Sequence, residues 1–308
     1  MSRRLAALAV LAALGVAGCG LGAGGTPAGT KLTITEDFGT KPVRELDVPK
    51  ASGDETVMRF LQRNAKVTTR YGGGFVQSID GRSGGTAGGR PVDWFYYVNG
   101  VEAPKGAAST KLHAGDRVWW DRHDWGAAQR LPAVVGSFPE PFRHGIGGKR
   151  FPVRIECADP GVPACKAVQK ALIGAGVPAA MGSLRAANSA ETLRVVVGPW
   201  TALRDDRALE GMERGPQASG VYAKPSADGR RITLLDPRGR PTRTLGAGTG
   251  LVAATQVADD QPVWVVTGTD AAGVESAGRA FDEGTLDHRF AVVVSRDLPI
   301  SVPEDAAQ

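Results

Sequence analysis

The chain predicts an α+β to α/β protein in two parts, an N-terminal β-grasp-like domain followed by a C-terminal α/β domain. Residues 31–127 carry the order strand, strand, helix, strands, whereas residues 151–300 alternate apolar strand runs with stretches of helical periodicity. A length of 308 residues allows two ordinary domains, and a hydrophobic share of 42% is typical of a globular chain.

Before the first domain, Leu5 to Val16 forms an apolar run behind Arg3 and Arg4. It has the length of a signal-peptide h-region and is too short to span a bilayer. It ends in Val16-Ala17-Gly18-Cys19, which resembles a bacterial lipoprotein lipobox. That resemblance implies removal of residues 1–18, acylation of Cys19 and an extracytoplasmic chain lipid-anchored to the bacterial cell membrane. The alternative is an ordinary cleaved signal, with Cys19 lost or left as a chance thiol. Several acyl chains, at about 0.8 kcal/mol per buried methylene, hold a protein at a membrane where one does not. Residues 19–30, rich in Gly and Ala, read as a flexible tether. The net charge of +5 falls by two, to +3, without Arg3 and Arg4, and the remaining Lys and Arg are scattered. Such a balance does not point to nucleic acid.

In the first domain, Leu32 and Ile34 predict a strand, Asp37-Phe38-Gly39 a turn, and Val43 to Val48 a second strand. Ser52 with Glu55 offers a capping box before Val57, Phe60 and Leu61 at helical spacing. Glycines 72–74 break the chain. Trp94 to Val98 then alternates toward Asn99-Gly100, the strongest short hairpin signal present. Gly115-Asp116 turns the chain into Arg117-Val118-Trp119-Trp120-Asp121.

The pattern Trp94-x-Tyr96-x-Val98-Asn99-Gly100, followed by Gly106, Leu112, Gly115-Asp116 and Trp120, resembles the DUF4430 family over about Lys31 to Trp125. That family is similar to the C-terminal β-domain of transcobalamin and intrinsic factor. The resemblance implies a small β-domain and, as the first ligand to consider, a flat cofactor such as cobalamin. This chain has no segment that reads as the large α/α-barrel against which the vertebrate carriers close, so half of their binding site is missing.

Residues 128–150, with Pro132, Pro139 and Pro141, read as a Pro/Gly-rich connection. Beyond it, Val153 to Ile155 predicts a strand and Pro163 the first turn of a helix carrying Val168, Leu172 and Ala175 on one face. Leu193 to Val197 predicts a buried strand, Trp200 to Met212 a helix, and Gly220 to Ala223 and Ile232 to Leu235 further strands. Gly246-x-Gly248-x-Gly250 lacks the spacing of a dinucleotide fingerprint and reads as a tight turn before a small-residue helix at Leu251 to Ala254. Val263 to Thr267, a helix from Asp270 to Phe281, and Phe290 to Val294 complete the domain, with residues 301–308 as a tail. Cys157 and Cys165 flank turn-forming Asp159 to Pro163, and in an oxidising compartment they are expected to form a disulfide. A redox-active pair and a metal site are the alternatives, but the spacing is not C-x-x-C and no histidine is nearby in sequence.

The aromatic cluster carries the binding chemistry. On strands, Trp94, Tyr96 and Val98 face one way and Phe95 and Tyr97 the other, while Trp119 and Trp120 oppose each other. One set of rings belongs to the domain's own core. The other is either packed on the C-terminal domain or available to a ligand. The ligand-binding candidates are Trp94, Tyr96, Tyr97, Asn99, Trp119, Trp120 and Trp125. His123-Asp124 reads as a solvated pair in a loop after a strand, and His113, His144 and His288 are isolated in sequence. No nucleophile elbow, metalloprotease helix or zinc spacing is present, so neither catalysis nor a metal site is expected. The leading expectation is a lipoprotein that binds a small molecule or cofactor, possibly corrinoid-like, without catalysis in the cleft between the two domains, with an envelope protein as the other possible partner. The alternative is a cell-envelope scaffold with no small-molecule site.

Overall fold

A computed structural model describes residues 29–49, 55–186, 190–258 and 260–304. The expected signal segment, Cys19, most of the expected tether and Ser52 to Asp54 lie outside the described residues. The protein is mixed α/β with several sheets. No helix among the described residues is long and apolar enough to cross a membrane.

The N-terminal sheet is mixed. β1 (Thr30–Glu36) and β2 (Lys41–Val48) form a hairpin on its edge, followed by α1 (Val57–Asn64), then β3 (Val67–Arg70), β4 (Phe75–Ile79) and β5 (Arg82–Ser83), which form a small sheet of their own. β6 (Gly85–Ala87), β7 (Arg90–Val98), β8 (Val101–Glu102) and β9 (Arg117–Asp124) complete the large sheet in the order β2-β1-β9-β7-β6, with β8 paired to β7. The central pair β1 and β9 is parallel, and the other pairings are antiparallel. α1 starts one turn later than the expected capping box: Thr56 Oγ1 accepts from the Arg59 N–H at 3.3 Å. Its Val57, Met58, Phe60 and Leu61 bury against Leu32, Ile34, Trp94 and Trp120. Asn99 and Gly100, at φ 55° and 74°, close the two-residue β7–β8 hairpin, as both central positions of such a turn require.

The C-terminal sheet is built from β10 (Val153–Cys157), α2 (Pro163–Gly174), β11 (Ala179–Ser183) and β12 (Leu193–Pro199), followed by the single turn α3 (Trp200–Leu203) and α4 (Pro216–Ser219). A side sheet of β13 (Ala223–Pro225), β14 (Ile232–Leu235) and β15 (Pro241–Leu245) intervenes. β16 (Gly250–Thr255), β17 (Val263–Gly268), α5 (Ala271–Arg279), α6 (Glu283–Leu286), β18 (Ala291–Ser295) and β19 (Leu298–Val302) then finish it. The order is β11-β10-β12-β17-β16-β18-β19, with the first four strands parallel and the rest antiparallel. α2 and α5 cover one face together with Phe138, Phe142 and Trp264. The other face packs on Trp200, Tyr222 and the side sheet, and also on Phe38, Tyr97 and Trp119 of the N-terminal sheet. One core therefore runs through both halves of the chain.

Several elements differ from expectation. The strand expected over Gly220 to Ala223 begins only at Ala223, as β13, and Ser301 and Val302 of the expected tail end β19. Trp200 to Met212 is not one helix: α3 stops at Leu203, and Met212 to Arg214 is a separate 3-10 turn. Asp206 turns its carboxylate to the Ala208 N–H and to Arg194, a local arrangement that competes with continuing the helix. Leu251 to Ala254 is not helical but belongs to β16, buried between β17 and β18. A short, wholly apolar run fits a central strand as well as a helix, and periodicity does not separate them. The segment 128–150 crosses between the halves with residues 131–142 buried, Leu131, Val134 and Val135 among them, and with cis peptides before Pro139 and Pro141.

Cys157 and Cys165 form the expected disulfide, from the end of β10 to the first turn of α2. Both are at most 1% exposed, which makes the bridge a structural one. The Cys157→Ala/Cys165→Ala double variant is expected to lose about 2.5 kcal/mol by the chain-entropy model, read as a lower urea midpoint. An unchanged midpoint would show that the native packing does not use the bridge.

Candidate functional site

The aromatic candidates divide between two interiors. Trp94, Tyr96 and Trp120 lie on the α1 side, where the Tyr96 and Trp120 rings stack with centroids 4.8 Å apart. Trp94 Nε1 donates to the Arg82 carbonyl at 2.9 Å, and the Tyr96 hydroxyl bonds Thr110 Oγ1 at 2.8 Å. On the opposite face, Tyr97 and Trp119 are 0% and 2% exposed and meet the edge of Phe290 at 5.6 and 5.1 Å. Trp119 Nε1 donates to Thr35 Oγ1 at 2.7 Å. Burial pushes the Tyr97 hydroxyl well above the usual phenol range, with the nearby Glu102 and Asp121 carboxylates adding to it. Asn99 serves the hairpin: its amide donates to Asp116 Oδ1 and the Gly145 carbonyl, each at 2.8 Å, and its oxygen accepts from the Arg117 N–H at 2.9 Å. Trp125 is half-buried, with Nε1 on Asp93 Oδ2 at 2.9 Å. The candidates sit on two faces of the sheet, and Trp94, Tyr97, Trp119 and Trp120, each at most 5% exposed, offer no open ring face for a corrin. These four do not fit that cofactor.

His123 and Asp124 are not in a solvated loop. They are the last two residues of β9, and His123 is 1% exposed. Its ring lies between Phe38 and Phe95, with centroids 4.5 Å from each, and its Nδ1 is 2.8 Å from Asp121 Oδ1. Asp121 also accepts from the Phe38 and Gly39 N–H groups at 3.0 and 2.9 Å and from the Thr35 hydroxyl. A carboxylate so engaged pins the turn at residues 37–39 and leaves no face for substrate. Strand parity is readable in the sequence here, but the β9 register that carries two more polar residues into the interior is not.

Chemistry has room elsewhere. A cleft of about 480 Å³ opens between the β7–β8 hairpin, the loop from Ala103 to His113, and Ile146-Gly147. Val98, Val101, Ala103, Pro104 and Ile146 make its wall apolar. Lys105 and Lys111 line it, and among the described residues neither side chain has an ion-pair or hydrogen-bond partner. Glu102 turns away, accepting from the Leu131 N–H at 2.9 Å with Arg130 Nε at 3.8 Å. Burial raises its carboxyl above the ordinary range despite the Arg130 charge. His113 donates its backbone N–H to Asp116 Oδ2 at 2.8 Å, and burial likewise raises the Asp116 carboxyl. Sequence pattern alone does not single out these residues. Their signal is slight: a Pro/Lys loop between strands, and an Ile some 45 positions away that only the tertiary fold brings to it.

Glu45, Asp287 and His288 bring potential ligand atoms within 4.8 Å of one another where β2 meets the C-terminal half. The Lys31 ammonium, however, is hydrogen-bonded to Glu45 and holds its carboxyl below the usual range, against partial burial and with the Lys31, His288 and Arg117 charges adding to the effect. A cation there competes with a lysine already in place. The group reads as an ion-pair cluster joining the two halves.

Residues 54–124 match the family model DUF4430, described as a domain of unknown function. The match leaves out β1 and β2, which complete the same sheet. No curated protein matches the chain. Among solved structures, the chain is similar to one from Ruminococcus gnavus described as a "putative metal binding protein". That similarity has 14% identity and a TM-score of 0.26, and covers 32% of this chain and 97% of the other. So low a TM-score bears on neither fold nor chemistry. With the aromatic–glycine pattern and the family match on the same strands, the chain carries a DUF4430 domain at residues 54–124.

Proposed function

We propose that this is a lipoprotein anchored through Cys19 outside a bacterial cell membrane, which binds a small molecule without catalysis in the cleft at the β7–β8 hairpin. The observation that carries the reading is an apolar cavity of about 480 Å³ lined by two lysines that pair with nothing else among the described residues. That volume lies in the range of small-ligand sites, which combine an apolar wall with a few polar groups. The non-catalytic part rests on where the titratable groups sit: Asp121 and His123 are sealed in the interior, and Glu102 and Asp116 hold backbone N–H groups. The β-grasp reading of the first domain draws support from the parallel β1–β9 pair at the sheet centre, flanked by antiparallel β2 and β7 and covered by α1.

The scaffold alternative is favoured by a different observation, the burial of Tyr97 and Trp119 against the C-terminal half. A thermal-shift series on the chain starting at Gly20, against cobalamin, haem, metabolites, glycans and amphiphilic anions, separates the two. A ligand at about a hundred times its dissociation constant is expected to stabilise the native state by roughly 2.7 kcal/mol, a rise of several degrees. The rise is expected to vanish in Ala103→Trp, which fills the cleft from its half-exposed wall without entering a core. A flat series in the unmodified chain would leave the scaffold reading in place.

A further inference from the structure

The cleft sits where the chain enters the folded domain. The Lys31 N–H donates to the Asp116 carbonyl at 3.1 Å, and Asp116 in turn accepts the His113 N–H, with His113 lining the cleft. Leu32 pairs with Val118 and Val118 with Val98, so the first strand and the cleft wall are two strand spacings apart, about 10 Å. Ten residues separate Cys19 from Thr30. At roughly 3.3 Å per residue they reach at most about 35 Å. An anchored Cys19 therefore keeps this end of the domain close to the lipid surface.

The same end bears features suited to a membrane. Tyr71, at the tip between β3 and β4, is 85% exposed. The Gly74 carbonyl of that tip lies 3.6 Å from where a Cβ on Gly106 would stand, which places the tip beside Lys105 and its loop. An exposed tyrosine and unpaired lysines are residues that settle at the headgroup level of a bilayer.

We propose that the cleft binds an anionic phospholipid of the membrane to which the chain is anchored: Lys105 and Lys111 pair the headgroup phosphate, and Val101, Pro104 and Ile146 cover the first acyl carbons. The proposal deepens the cleft-binding function above and rests on its reading of Cys19. Charge complementarity selects the ligand. The two cations have no protein counter-ion among the described residues, and Glu102, the acidic residue in the wall, is turned to the Leu131 N–H and Arg130. An apolar wall below two cations fits an amphiphile better than a free inorganic anion, which would leave that wall uncovered.

The test uses the full chain, produced and acylated in a bacterial host and reconstituted into phosphatidylcholine vesicles. The vesicles contain a tenth of either phosphatidylglycerol or phosphatidylcholine bearing a photoactivatable diazirine on the acyl chain. Irradiation and peptide mapping are expected to place the phosphatidylglycerol label on residues 98–104 and 146–147, about tenfold above the phosphatidylcholine label. Lys105→Gln/Lys111→Gln is expected to bring the two probes level, with an unchanged melting temperature showing that the variant is folded. Equal labelling by both lipids, or labelling indifferent to the double substitution, overturns the proposal, as does a chain that fails to float with the vesicles. An unlabelled cleft beside a soluble ligand whose thermal shift is lost in Ala103→Trp sinks the lipid assignment and leaves the small-molecule function standing. An unlabelled cleft and a flat thermal series sink both.

Discussion

Replacing Trp119 by alanine is expected to destabilise the native state by about 3–5 kcal/mol, the range for emptying a buried tryptophan site. The indole is 2% exposed and contributes to a core shared by both halves, against Phe290 and Tyr97. It packs so closely that a Cβ on Gly136 would stand 2.7 Å from its ring. Its Nε1–H also satisfies Thr35 Oγ1, which donates in turn to the buried Asp121. The substitution thus opens a cavity and strips one donor from a polar network in the interior. Urea denaturation checks it through the midpoint, and loss of cooperativity would show the two halves parting. Trp125→Ala is the internal comparison, because that ring is half-buried and its loss should cost much less. A Trp119→Ala midpoint equal to that of the parent chain would mean that the ring face is dispensable to folding. The aromatic set would then be free for a ligand after all.

Alternation along the strand makes the division of these rings legible in the amino-acid sequence. Trp94, Tyr96 and Val98 do share one interior, and Phe95 and Tyr97 the other, because side chains on a strand change face at every residue. Asn99-Gly100 announces its hairpin because few other pairs tolerate two positive φ angles. What local pattern does not encode is the partner of the second face. That partner is Phe290, Tyr222 and the 128–150 segment, brought in from well over a hundred residues away in the case of Phe290. The same limit hides the cleft, whose wall needs Ile146 beside Val101. His123 and Asp124 look solvated in sequence because a lone His-Asp pair after a strand run reads as loop, whereas the His123 ring is covered by Phe38 and by Phe290 of the C-terminal half, which the local sequence does not mention.

A buried cation makes the second large effect. Arg194 on β12 is 4% exposed and donates to Glu156 Oε2 through Nε at 3.1 Å and Nη2 at 2.8 Å, while Nη2 also pairs with Asp206. Burial works to lower the guanidinium pKa, but the hydrogen bonds with Asp206 and Glu156 outweigh it and the net direction is upward. This arrangement ties the chain after α3 to the parallel sheet. Arg194→Leu is expected to cost about 3–5 kcal/mol near neutral pH, because the Glu156 carboxylate, itself 0% exposed, stays in the interior without its guanidinium. Glu156 keeps the Arg185 N–H at 3.1 Å, so what the variant removes is the guanidinium alone. Urea midpoints of parent and variant check the loss, and equal midpoints would show that the buried carboxylate does not depend on Arg194. Arg194→Leu/Glu156→Leu should recover much of the loss, since replacing a buried ion pair with apolar groups is often close to neutral, and Asp206 retains its Ala208 N–H. What Arg194 then contributes is a fixed position for the chain just after α3, through Asp206, rather than net stability.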